Sequence, residues 1–80
     1  QFFLSVFPNP VIDELNISSD EEFDKIELYD LIGNKVLSEK IHETKNYKLK
    51  IDKFEAGCYF LSVSSDKKIV TQKIIISANK

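Results

Sequence analysis

Few side chains in this sequence are capable of covalent or metal chemistry. It has one histidine, His42, one cysteine, Cys58, and no tryptophan. A Cys–His nucleophile pair needs both groups together, with the thiol exposed and its thiolate stabilised. His42 opens a polar run that ends at Asn46 and reads as solvated. Cys58 stands between Gly57 and Tyr59 and reads as a small hydrophobe or an outer-face side chain. One His and one Cys do not make a structural zinc site, which takes a tetrahedral set of ligands. The acidic group Asp20, Glu21, Glu22 and Asp24 offers carboxylate oxygens but lacks the alternating spacing and the glycine of a calcium loop. No glycine-rich phosphate loop and no nucleophile-elbow motif occurs. Paired carboxylates for glycoside hydrolysis need a cleft to hold them apart. A chain of 80 residues has little room for both a cleft and a core. The expectation is therefore a protein that is not an enzyme and needs no cofactor or metal.

Charge narrows the partners. The formal net charge is −2 and all 11 basic residues are lysines. Phosphate and base recognition draw on the bidentate fork of arginine, so nucleic acid is not an expected partner. The acids crowd the first half, nine against three lysines over residues 1–40, and the lysines crowd the second, eight against four acids. A lone cysteine rules out a disulfide framework within the chain. No apolar run reaches the length that spans a membrane. No basic region precedes the apolar residues at the start, so if the protein is exported, its signal for crossing the inner membrane is expected on sequence outside these residues.

The elements that must position these residues read as strands. Ten Ile, five Val, six Phe and three Tyr stand beside two Ala and no Met, a choice that suits a pleated surface better than a helix. Phe2 to Phe7 is a β-type run that stops at Pro8-Asn9-Pro10, where two prolines remove two backbone donors. Glu14 to Ser18 alternates polar and apolar. Ser19 to Glu22 reads as an acidic turn, and Lys25 to Asp30 alternates again. Gly33-Asn34 supplies a tight turn. Lys35 to Ile41 and Tyr47 to Ile51 are strands on either side of the His42 to Asn46 loop. Phe54 to Gly57 turns the chain into Cys58 to Ser64, and Ser65 to Lys67 turns it back along Lys68 to Ser77. A helix between residues 20 and 33 is the competing reading, opposed by the Ile26/Leu28 alternation and by Gly33.

This gives an all-β domain of about seven short strands, an Ig-like or fibronectin-like antiparallel β-sandwich. It is expected to be a single domain over residues 1–80, with residues 1–7 either closing a linker or forming the first strand. The inward residues are expected to be Leu15, Ile17, Ile26, Leu28, Leu49, Ile51, Tyr59, Leu61, Val63, Ile74 and Ile76.

The remaining conspicuous residues resemble a known family, the type A C-terminal sorting domain of type IX secretion. Val6-Phe7-Pro8-Asn9-Pro10-Val11, followed by Asp13, Leu15 and Ile17, is similar to that family's opening block. Ile26 to Asp30 with Gly33-Asn34-Lys35-Val36-Leu37 is similar to its hairpin block. Leu49, Ile51 and Phe54 leading to Gly57-Cys58-Tyr59-Phe60-Leu61-Ser62-Val63 is similar to its Gly-x-Tyr block. Lys67-Lys68 and Lys73-Ile74-Ile75-Ile76 are similar to its basic, aliphatic closing strand. The chain departs from the family pattern at Cys58 and in running on through Ser77 to Lys80.

The resemblance implies a tail that directs an N-terminally fused cargo across the outer membrane of a Gram-negative bacterium. The tail passes through the periplasm, and the cargo ends secreted or at the cell surface. The implied partners are the outer-membrane translocon, its shuttle barrel and a sortase-like protease that cleaves near or upstream of Gln1. The residues singled out for recognition are Pro8, Asn9, Pro10, Gly33, Gly57, Tyr59, Lys67, Lys68, Lys73, Ile74, Ile75 and Ile76. Pro8, Asn9, Pro10, Gly33 and Gly57 can equally be residues that shape turns. Tyr59 can fill the core with its hydroxyl on a backbone carbonyl. The closing strand and its lysines then carry the signal, read by strand addition to a receptor edge.

Two other functions compete with sorting. One is an Ig-like accessory module that binds carbohydrate or protein, for which Phe2, Phe3 and Phe60 are the candidate exposed rings. The other is a structural spacer. Alternation places Leu61 in the core, so Leu61→Asp should prevent folding. A thermal melt of that variant matching the parent would overturn the register.

Overall fold

The computed structural model describes residues 3–78. Phe2, expected both in the first strand and as an exposed ring, lies outside the described residues. Five strands form one antiparallel sheet: β1 (Leu4–Phe7), β2 (Glu14–Tyr29), β3 (Lys35–Lys50), β4 (Gly57–Ser64) and β5 (Ile69–Ile76). No helix forms among the described residues, so the competing helix over 20–33 is replaced by strand up to Tyr29 and by a turn over 30–33.

The strand count of seven is corrected to five, and the difference has one physical source. Ser19 to Glu22 and His42 to Asn46, read as a turn and a loop, both continue as strand. Neither run contains Gly or Pro, the residues that most readily reverse a chain. The two runs lie near each other across the β2–β3 hairpin and disturb its ladder without breaking it. From the Ser18–Asn46 pair to the Phe23–Thr44 pair, β2 advances five residues while β3 advances two. From there to Lys25–Lys40, β2 advances two while β3 advances four. Extra residues of this kind bend a ribbon and increase its twist.

The bend lets β2 change neighbours. Its first half lies between β3 and β1, with Phe7 opposite Asn16 and Leu4 opposite Ser19. Its second half lies between β3 and β4, with Lys25 opposite Ser64 and Tyr29 opposite Phe60, and β5 lies beyond β4. One curled sheet thus stands where a two-sheet sandwich was expected, because β2 and β3 run unbroken through the corner.

The inner faces of both halves share one core. All eleven residues expected inward from alternation are buried there, together with Val6, Val11 and Phe23. Phe23, the core residue at the bend, is fully buried. Val11 is also fully buried and forms a parallel bridge to Ile76, which joins the segment after β1 to the end of β5.

Truncating a buried Phe costs about 3–5 kcal/mol, and a domain of this size has a total stability near the low end of about 5–15 kcal/mol. Phe23→Ala should therefore lower the melting temperature by at least about 10 °C. Phe3→Ala, at a position 61% exposed, should leave it nearly unchanged. Equal melts for the two variants would show that the bend is not held by Phe23.

Candidate functional site: the closing strand and the segments that hold it

The proline-flanked segment meets the closing strand directly. Pro8 and Pro10 have no backbone N–H, so the chain between them adds no ladder of its own and presents the Asn9 amide instead. The Asn9 side-chain oxygen accepts a 2.9 Å hydrogen bond from the Ile75 N–H. The Val11 N–H donates to the Ile75 carbonyl at 2.8 Å, and the Ser77 N–H donates to the Val11 carbonyl at 2.8 Å. Asn9 and Val11 thereby cover the last part of the outer edge of β5.

Among the described residues, the rest of that edge is open. Ile75 directs both its N–H and its carbonyl away from β4, and the β4–β5 register runs without a bulge from Gly57/Ile76 to Ser64/Ile69. Strand geometry then turns the backbone groups of Ile69, Thr71 and Lys73 the same way. Ile69 is 65% and Ile75 41% exposed, whereas Ile74 and Ile76 are buried. β5 thus puts Ile74 and Ile76 into the core and leaves Ile69, Thr71, Lys73 and Ile75 on the outside.

The lysines divide in two. Lys68 forms a two-pronged ion pair with Glu21, its Nζ lying 3.0 and 2.9 Å from the carboxylate oxygens. That carboxylate holds the Lys68 amine above its ordinary pKa. The contact ties the β4–β5 turn to the bent part of β2. Lys67 and Lys73 are exposed.

Gly33, Gly57 and Tyr59 have visible architectural roles. Gly33 has φ 95° and Gly57 φ 153°, both in the region that favours glycine. In the β2–β3 turn, Asp30 Oδ1 accepts from the N–H groups of Ile32 at 3.1 Å and Asn34 at 2.9 Å, and Oδ2 from the Asn34 side chain at 3.1 Å. These bonds, the Asn34 N–H foremost, hold the Asp30 carboxyl below its ordinary pKa. The Tyr59 hydroxyl donates to the Glu55 carbonyl at 2.7 Å, and its ring meets Phe54 at 6.3 Å between centroids. Burial, followed by the Glu55 charge, pushes the Tyr59 phenol above its ordinary pKa.

One charged cluster was not singled out in the sequence. Glu27, nearly buried on the outer face of β2, lies 3.0 Å from Lys35 Nζ and 3.4 Å from Lys25 Nζ. The Tyr29 hydroxyl donates to its Oε1 at 2.9 Å and the Ser38 hydroxyl to its Oε2 at 3.2 Å. Lys35, then Tyr29, lower its pKa from 4.5 to about 2 against the opposing effect of burial. The available signal was Lys25, Glu27 and Tyr29 at alternate positions of one strand.

The reactive groups remain apart from this cluster and from each other. His42 is exposed on β3 and Cys58 is half-buried on β4, two strands that do not pair. Among the described residues, no group of three or more His, Cys, Asp or Glu is placed to hold a metal ion. No helix among them is long and apolar enough to cross a membrane.

The result is a small all-β domain whose exposed features are a strand edge and the outer face of a curled sheet. Over residues 5–77 the chain matches the model of a protein family described as the secretion system C-terminal sorting domain. The chain belongs to this family, the type IX secretion sorting domains, and a sorting-signal domain is not itself catalytic. It is also 32% identical to an ulvan lyase of Nonlabens ulvanivorans over 92% of its own length. The chain spans 14% of that relative.

The Glu27 cluster gives the domain a pH dependence with a definite sign. A carboxyl whose pKa is depressed on folding stabilises the fold above its unfolded value and loses that contribution as pH falls towards the folded value. For Glu27 this window runs from 4.5 down to about 2. Thermal melts should fall by several degrees across it, and Glu27→Gln should flatten that part of the profile. An unchanged profile in the variant would assign the acid sensitivity to other carboxylates.

Proposed function

We propose that this domain directs an N-terminally fused cargo through the type IX translocon to the outer surface of a Gram-negative cell. The observation that carries the reading is the family match over residues 5–77, with its four motif blocks present in order. Passage through the periplasm, recognition by the translocon and its shuttle barrel, and removal of the tail by a sortase-like protease belong to the proposal. Because the curated relative is a lyase seven times longer than the aligned portion, a polysaccharide-degrading cargo is a natural candidate.

Recognition is assigned to the outer side of β5. Lys67, Lys73 and Ile75 are accessible there, beside the open backbone groups of Ile69, Thr71 and Lys73. An extended receptor segment can add to such an edge by main-chain hydrogen bonds, with side chains supplying selectivity. Pro8, Asn9, Pro10, Gly33, Gly57, Tyr59 and Lys68 support recognition indirectly by fixing the turns and the ends of that strand. Ile74 and Ile76 do so from the core.

The test places the chain behind a signal peptide and a fluorescent protein, in hosts with and without the translocon. Fluorescence should reach the medium or the cell surface only in the first host. Equal export from both would refute the sorting role. Thr71→Pro tests the edge, because proline removes an outward donor and is tolerated on an edge strand. It should leave the purified domain folded and reduce export at least about tenfold, as expected when strand addition loses about 1.4 kcal/mol or more. Full export of a folded Thr71→Pro variant would exclude strand addition at that position.

A further inference from the structure

The register of the sheet assembles a surface row that no single segment of sequence displays. Lys73 lies opposite Phe60, Phe60 opposite Tyr29, and Tyr29 opposite Lys35, so the row crosses β5, β4, β2 and β3. Both rings are half-buried, and the two lysines at the ends are exposed. Adjacent strands are about 4.8 Å apart, which makes the row about 14 Å long. Lys35 Nζ lies 5.9 Å from the centre of the Tyr29 ring. Beside the row runs a polar one, Thr71, Ser62, Glu27 and Ser38, and beyond it Lys25 faces Lys40.

Across these three rows, four lysines face a single carboxylate. That carboxylate, Glu27, is already shared between Lys25 and Lys35. The face is therefore cationic in a chain whose net charge is −2. Lys73 and Lys40 make no ion pair among the described residues.

We propose that this face binds an anionic polysaccharide. A sugar ring lies flat on Phe60, with Tyr29 next to it, and the carboxylate or sulfate groups of the chain pair with Lys73 and Lys35. Aromatic rings offer an apolar face to the C–H side of a sugar, and nearby hydroxyls serve its polar rim. A row of side chains running across four strands suits an extended polymer. The backbone groups between β3 and β5 are already paired within the sheet and only the outer edge of β5 is open, so an extended acidic peptide lying across the strands finds no main-chain partners on the face. Nucleic acid is disfavoured by the absence of arginine and the acidic total. Phe60 and Tyr29 lie outside the β5 strip assigned to export, so Phe60→Leu separates this site from export, while Lys73 belongs to both.

Affinity electrophoresis of the chain tests the site, using gels containing polygalacturonate or neutral dextran. Polygalacturonate should retard the parent and dextran should not. Phe60→Leu keeps the apolar volume without the ring, and Lys73→Glu reverses an end charge. Each should weaken retardation by about fivefold or more while the melting temperature holds. Equal mobility in both gels would overturn the proposal. So would loss in Lys73→Glu alone, which indicates charge attraction without a stacking site. Competition by oligothymidylate as strong as that by free polygalacturonate would overturn the assignment to a glycan.

Discussion

The bend in the β2–β3 hairpin is the constraint on which the other features depend. A straight hairpin of this length would offer one flat apolar face to water. Bulged pairing around Phe23 curls the hairpin, and its two halves then enclose a common core. The same bend gives β2 a new neighbour at midlength, with β1 on its first half and the β4–β5 pair on its second. Phe23 fills the inside of the corner, and the Glu21–Lys68 pair ties the bend to the β4–β5 turn. Exposed pairs of this kind add little stability, about 0–1 kcal/mol, so their main effect here is to fix the position of the turn.

Curling brings the two ends of the domain together. The segment after β1 reaches β5 and covers its last residues through Asn9 and Val11. This divides the closing edge into a covered part at Ile75 to Ser77 and an open part from Ile69 to Lys73. An unprotected edge invites pairing with other chains, and a short one with a charge limits that hazard while leaving a docking strip. The long outer edge of β3 is guarded differently, by the exposed lysines Lys40, Lys45, Lys48 and Lys50.

Inner and outer faces answer to different demands. Inward positions are aliphatic or aromatic and close-packed, and the family motifs fall largely on them and on the turns that align them. Outward positions are less constrained by packing. In this chain they carry the Glu27 cluster and the row of two rings and two lysines. A sorting tail and a glycan-binding face can therefore occupy one small domain, meeting at Lys73, where the face reaches the open edge of β5.

Much of this was legible in the sequence because strand alternation is local. A side chain two residues along returns to the same face, so Leu15 and Ile17, Ile26 and Leu28, Leu49 and Ile51, Tyr59, Leu61 and Val63, and Ile74 and Ile76 could be assigned inward without knowing their partners. The turn at Gly33, the roles of Gly57 and Tyr59, and the family itself were likewise readable from short motifs. Other features required the tertiary structure, because they depend on residues distant in the chain. Polar runs at 19–22 and 42–46 look like turns in isolation and become a bend only when each lies across from the other. Phe23 and Val11 are buried by strands they do not adjoin in sequence. Asn9 meets Ile75 66 residues away, and Lys68 meets Glu21 47 residues away. Side-chain alternation fixed which face each residue occupies, and only the curled sheet decided which faces meet and which edge of the last strand stays open.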